Sequence, residues 1–417
     1  MTPPMSRIFL ATLILLAGTC ATGGGPTKQI SKSPPVPTGH EHVLHSFDFY
    51  DGAYPMAGLT FDSAGNLYGT TWQGGTGNNY CGTGGCGTVF QLTPAGKGVW
   101  NETLLYSFQG QKHGGFTTAG VVVDAAGNVY GTAYNDGAHN WGVVFELAKV
   151  NGTWTERVLH AFNLTPDGAS PLAGLTMDAS GNLYGTAAQG GVNGHGTVFE
   201  LSPAVGDNWN FKTLYSFRGG NDGFYPNAPL VFDEAGNLYG TTPYGGGNGC
   251  YSNLGCGTVF KLTPKAAGGW HETLLYRFKG EHDGGAPASG VVLDTVGNLY
   301  GTASRAGVYN QGVAFELMHT DGGRWGEKVI RAFQYSSPDG GLVFDSAGNL
   351  YGTTSRGFIY ELMISGGRWT ETVLYQCEKQ HGEVPQGSLS FDSSGNLYGV
   401  TEYGGKYGFG GVFRLRP

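Results

Sequence analysis

Along the chain, short apolar segments alternate with clusters of turn residues from about residue 41 to the end. One stretch shows the pattern: Ala119-Gly-Val-Val-Val-Asp124, Asn128-Val-Tyr-Gly-Thr-Ala133, Gly142-Val-Val-Phe-Glu-Leu147 and Thr155-Glu-Arg-Val-Leu-His-Ala-Phe162. All four are rich in Val, Leu, Phe, Tyr and Thr, which suit a pleated surface. None is long enough for an ordinary helix, and no apolar stripe of 3.6-residue period follows residue 20. The pattern predicts a nearly all-β chain. Val121-Val-Val123 is apolar on successive positions, as expected of a sheet covered on both faces.

The four-segment unit repeats. Gly-Asn-Leu-Tyr-Gly, or a near-copy, begins at Gly65, Gly127, Gly181, Gly236, Gly297, Gly348 and Gly395. A recurrence every ~50–60 residues is the signature of a solenoid or propeller. Ahead of each copy stands an Asp-x-x-Gly turn, from Asp62 to Asp392, in which the Asp caps backbone amides and the Gly takes the left-handed conformation. Seven matched carboxylates could also suggest a metal ring, but turn capping is the simpler account. A second turn carries Trp100, Trp154, Trp209, Trp270, Trp325 or Trp369, read as packing residues of an outer strand. Seven such units predict a seven-bladed β-propeller with four-stranded blades. The N-terminal Glu41-His-Val-Leu-His-Ser-Phe47 matches the fourth segment, and the final Gly411-Val-Phe-Arg-Leu415 matches the third. The N-terminal strand is therefore expected to close the last blade.

These runs, Asp-x-x-Gly-Asn-Leu-Tyr-Gly-Thr-Thr, Gly-Thr-Val-Phe-Glu-Leu and Glu-Thr-Leu-Leu-Tyr-Ser-Phe, resemble the GloVer tandem-repeat family of exported bacterial proteins. The resemblance covers residues 41–417. It implies a propeller-like extracytoplasmic protein with one of several surface anchors, and it implies no reaction.

Length alone would allow two or three domains, but the repeat joins residues 41–417 into one. The 76 glycines are read as serving turns and loops. Only 13% of residues are charged and the net charge is −8, which argues against nucleic acid or anionic lipid as partners. Residues 1–20 read as a signal peptide, with Arg7 before the apolar run Ile8–Leu16. Cys20 resembles a lipidated cysteine, followed by a flexible tether at 21–40, although Thr19-Cys-Ala21 also suits ordinary secretion. The membrane is thus engaged only through that anchor. An oxidising compartment favours two local disulfides, Cys81–Cys86 and Cys250–Cys256, over a four-thiolate zinc site on separate blades. Cys377 remains as a buried free thiol.

Where copies differ, function is sought. Loops joining second to third strands, and those joining one blade to the next, fall on the same face. The first set carries Trp72, Tyr80, Tyr134, Trp141, Tyr244, Tyr251, Tyr309, Tyr403 and Tyr407, with Phe409 beside them. Rings among Gly and Asn suit sugar faces or extended peptides, and equally suit stapling of the loops. Blade six is cut to Ser355-Arg-Gly357 and Ser337-Pro-Asp-Gly-Gly341, which predicts a notch beside Tyr309 and Tyr403. The second loop set repeats Asp-Gly at Asp51, Asp167, Asp222, Asp283 and Asp339, with His113 and His381 in two blades. Turn chemistry accounts for them, and a ring of acids at the channel mouth is the rival account. No nucleophile elbow, zinc-protease motif or phosphate loop occurs. The expectation is a monomeric, non-catalytic binding module for glycan or extended protein, with no metal or cofactor. The alternative is a polysaccharide lyase or hydrolase using Asp51, Asp222 or Asp283 with His113 or His381.

Overall fold

Each repeat turn is built around its aspartate. Asp62 Oδ1 accepts the backbone N–H groups of Ala64 and Asn66, while Oδ2 accepts the Asn66 amide and the Tyr68 hydroxyl. The same four bonds recur at Asp233 and at Asp392. The turn therefore fixes the hairpin between first and second strands and pins the tyrosine at the same time.

The computed structural model describes residues 39–76, 79–247, 249–250, 254–320, 323–378 and 382–417. The predicted signal segment with Cys20, nearly all of the tether, Tyr251 and His381 lie outside these residues. Seven antiparallel four-stranded sheets form the seven blades of a β-propeller, with no α-helix among the described residues. Blade one, for example, runs Thr60–Phe61, Leu67–Thr71, Thr88–Gly96 and Val99–Ser107 from the inside outward. Blade seven uses Glu383–Phe391, Leu397–Tyr403 and Gly411–Arg416, and its outer strand is His40–Ser46. The N-terminal strand thus closes the ring as expected.

The innermost strands are shorter than the apolar runs suggest, only two paired residues in six blades. Upstream of the pair the backbone is engaged sideways. Thr70 donates to the Ala119 carbonyl, Thr132 to Ala173, and Thr241 to Ser289, each time reaching into the next blade.

The core lies between blades. One cluster packs Tyr68, Val89 and Leu105 of blade one against Val129, Phe145 and Leu147 of blade two. The same wedge forms at every junction, including Phe47, Leu67, Phe90, Tyr398 and Val412 where the last blade meets the first. Tryptophans interlock these wedges: Trp209 packs on Tyr130, Trp270 on Tyr184 and Trp369 on Tyr300, each on the preceding blade.

A β-bulge interrupts the outer pairing of every blade, as where Val89 faces Tyr106 but the adjacent Phe90 faces Leu104. The extra residue reverses the alternation of side chains beyond it. In consequence Glu102 faces the preceding blade while Tyr106 faces the following one, toward Glu156.

Candidate functional site

The two variable loop sets meet on one face, as expected. Isolated bridges pair Ala53 with Gln73, Gly115 with Asn135, Ala169 with Gln189, Phe224 with Tyr244 and Gly285 with Arg305. Just after each bridge the backbone turns through the left-handed region at Tyr54 (φ 57), Phe116 (φ 62), Ser170 (φ 54), Tyr225 (φ 64) and Ala286 (φ 54). Its N–H then reaches the previous blade, from Phe116 to the Cys86 carbonyl and from Ala286 to the Cys256 carbonyl. Both expected disulfides, Cys81–Cys86 and Cys250–Cys256, are present and brace these acceptor loops.

The left-handed residues complete an aromatic strip. Tyr403 meets Tyr54 at 5.4 Å, Tyr54 meets Trp72 at 6.5 Å, Trp72 meets Phe116 at 6.4 Å, and Phe116 meets Tyr134 at 6.2 Å. Phe409 packs on Tyr54 at 6.0 Å. Neighbouring planes along this strip are inclined by 52 to 59°. The strip spans blades seven, one and two. The Trp72 indole hydrogen-bonds to the Tyr134 phenol, whose pKa burial pushes up while that bond acts the other way. A second cluster, in blade four, stacks Phe224 on Tyr244 at 5.2 Å with Tyr225 at 6.1 Å. Tyr225 is hydrogen-bonded to Gln189.

Of the nine rings expected from sequence, Trp72, Tyr134 and Tyr403 join the strip, and Tyr244 belongs to the second cluster. Tyr80, Trp141, Tyr309 and Tyr407 stand apart from the strip and are 53, 37, 50 and 49% exposed. Tyr80 lies over Gly110, and Lys406 covers the Tyr407 ring at 4.7 Å. Sequence reasoning missed Tyr54, Phe116, Phe224 and Tyr225, all in the blade-to-blade connections. For Tyr54, Phe224 and Tyr225 the signal was present in Asp51-Gly-Ala-Tyr-Pro55 and Asp222-Gly-Phe-Tyr-Pro226, where only turn chemistry was read, and Phe116 stands in the matching His113-Gly-Gly-Phe116.

Four of the five Asp-Gly acids are held by outer-strand partners, which the rival account of a ring at the channel mouth does not fit. Asp51 pairs with His45 at 2.8 Å, Asp167 with His160 at 3.0 Å, and Asp222 and Asp283 accept from Tyr215 and Tyr276 at 2.8 and 2.9 Å. Every one of those partners lies on an outer strand, because the connection passes over the blade's outer edge before turning inward. His113 likewise binds Glu156 at 2.8 Å. Asp339, in the shortened connection of blade six, instead faces Glu402, and burial with that like charge lifts its carboxyl to about 6. No group of three or more His, Cys, Asp or Glu able to hold a metal occurs among the described residues. Cys377 is a free thiol just past its strand, half-buried, with its pKa raised by burial and by Glu41.

Solved structures share the fold at low identity. A protein from Lactobacillus plantarum has a TM-score of 0.51 and 15% identity, covering 75% of this chain and 84% of its own. A putative oxidoreductase (glucose dehydrogenase) from Thermus thermophilus gives 0.44 and 14%, covering 91% and 100%. A putative gluconolactonase gives 0.41 and 16%, covering 69% and 87%. Among curated proteins none matches this chain in sequence. Residues 16–253 and 79–315 do match the model of the Gloeobacter/Verrucomicrobia repeat, and the chain belongs to that family.

Proposed function

We propose that the chain is an exported, non-catalytic binding module whose aromatic strip grips a neutral glycan. One observation carries the reading. Aromatic side chains occupy left-handed backbone positions at Tyr54, Phe116 and Tyr225, where Ser170 and Ala286 serve in other blades. A bulky residue there costs free energy that a glycine would avoid, so the rings are retained for what they contact. Rings with phenol hydroxyls offer a sugar both an apolar face and hydrogen bonds. The net charge of −8 disfavours an anionic polymer. Export is supported by the two disulfides, and Cys20 is the proposed point of attachment to the envelope.

A neutral-glycan array probed with the purified chain tests this, with an extended-peptide array alongside. Trp72→Ala and Phe116→Ala should each weaken glycan binding roughly tenfold, as loss of one stacked ring implies. Tyr309→Ala, off the strip, should leave it unchanged. Binding of peptides alone would transfer the strip to an extended protein ligand. Glycan binding untouched by both strip variants would remove this face from consideration.

A further inference from the structure

The outer-strand bulge places a glutamate on one face of six of the seven junctions and a Tyr, His or Arg on the other. How these glutamates are neutralised differs between seams. Glu371 pairs with Arg331, and Glu156 has His113 with Lys112 nearby. Phe211 replaces the glutamate where His160 and Asp167 are paired, and stacks on the imidazole at 3.8 Å. Seams with a cationic partner for the glutamate thus lack the second acid at that place, and the seam with a paired Asp and Phe211 lacks the glutamate.

Three seams break this balance by setting a glutamate against an aspartate. Glu102 faces His45, Asp51 and Asp48; Glu272 faces Asp222, Arg218 and Arg277; Glu327 faces Asp283 and Lys279. Tyr215 and Tyr276 complete the last two seams. In each, the aspartate is held by donors. Asp51 takes His45 and the Asp48 amide, Asp222 takes Tyr215 and the Arg218 amide, and Asp283 takes Tyr276 and the Lys279 amide. The glutamates are less well served. Oε1 of Glu102, of Glu272 and of Glu327 is buried without a hydrogen-bond partner, and so is Asp283 Oδ1; Glu156 Oε1 is orphaned too, but there Oε2 meets His113. A buried carboxylate oxygen with no donor beside a second carboxylate favours uptake of a proton.

We infer that these three seams are proton-holding joints: each glutamate takes one proton from solvent, and losing it sets two carboxylates against each other across the blade junction. Burial, with the facing aspartates, already lifts Glu102, Glu272 and Glu327 to about 7 from the ordinary 4.5. The stabilisation is whole below the unfolded value and is lost as pH rises through about 7. The ring is therefore tighter in mild acid than in mild alkali.

The test compares thermal midpoints of the full chain at pH 5.5 and 8.5 with those of Glu102→Gln, Glu272→Gln and Glu327→Gln, singly and together. The wild type should lose several degrees between the two pH values, and the triple variant should lose far less. Unfolding at pH 6 should release about three fewer protons in the triple variant than in wild type. Glu371→Gln, which strands Arg331, should be destabilising at both pH values. Should the triple variant not fold, Asp222→Asn and Asp283→Asn replace it, and each should move the alkaline loss to lower pH. A triple variant that parallels wild type, unchanged proton release or an unmoved loss in the Asn variants would overturn the inference.

Discussion

Two glycines of one pentapeptide do opposite jobs. Gly236 opens its copy in the left-handed region (φ 78), with nothing within 4 Å of where a Cβ would stand. Gly240 closes it inside the second strand, where a Cβ would come 2.5 Å from Phe260 Cζ and 2.8 Å from Leu230 Cδ2. The first supplies backbone freedom and the second makes room for a fully buried ring. Gly240→Ala should cost about 1–3 kcal/mol through overpacking, and Gly236→Ala nearer 1 kcal/mol through strain, both measurable by urea unfolding. Only the turn role was legible in the sequence. The second needs the register that places Gly240 opposite Phe260 on the next strand. At the same scale Tyr54 and Phe116 were missed, because a residue three places past Asp51 or His113 announces its turn and not the neighbours its ring will meet.

At the level of the element, backbone capping by the turn aspartate was legible, since those bonds span at most four residues, whereas its bonds to the Asn amide and the Tyr hydroxyl were not read. Burial works to raise the carboxyls of Asp62, Asp178, Asp233, Asp345 and Asp392, but hydrogen bonds from the Asn and Tyr partners and the turn amides hold them below the ordinary 3.8. Groups depressed on folding contribute stability above their unfolded value and lose it as pH falls through the folded one. The chain should therefore unfold in acid below about pH 4, followed by near-UV circular dichroism. Asp233→Asn should reduce that acid sensitivity while costing about 1–3 kcal/mol at pH 5. The outer-strand bulge was not legible. Glu102-Thr-Leu-Leu-Tyr106 reads as an unbroken strand, and nothing local shows that Leu105 falls out of register.

For the whole molecule, stability should peak in mild acid, between protonation of the turn aspartates and deprotonation of the seam glutamates. His160 works against this on the acid side, since burial lowers its pKa despite Asp167 and favours the neutral ring. Closure is the other global feature. His40–Ser46 pairs with Gly411–Arg416, Tyr375 donates to Glu41 at 3.1 Å, and Phe47 is fully buried at the junction of last and first blades. A chain beginning at Phe47 would expose the Gly411–Arg416 edge to intermolecular pairing. It should elute as aggregates or higher oligomers in size-exclusion chromatography, and an unaltered monomer would show that closure is dispensable.

The sequence by itself determined seven units, four strands to a unit, the chemistry of the repeated turn, the two local disulfides and the strand that latches the ring. Each is carried by residues close in the chain or by identity between copies. Tertiary structure decided which side of each outer strand faces which neighbour, that four of the five Asp-Gly acids bind outer-strand partners, and that rings from two loop sets merge into one strip. Those outcomes rest on a one-residue shift in register and on contacts between blades some 50 residues apart, which no periodicity along the chain encodes.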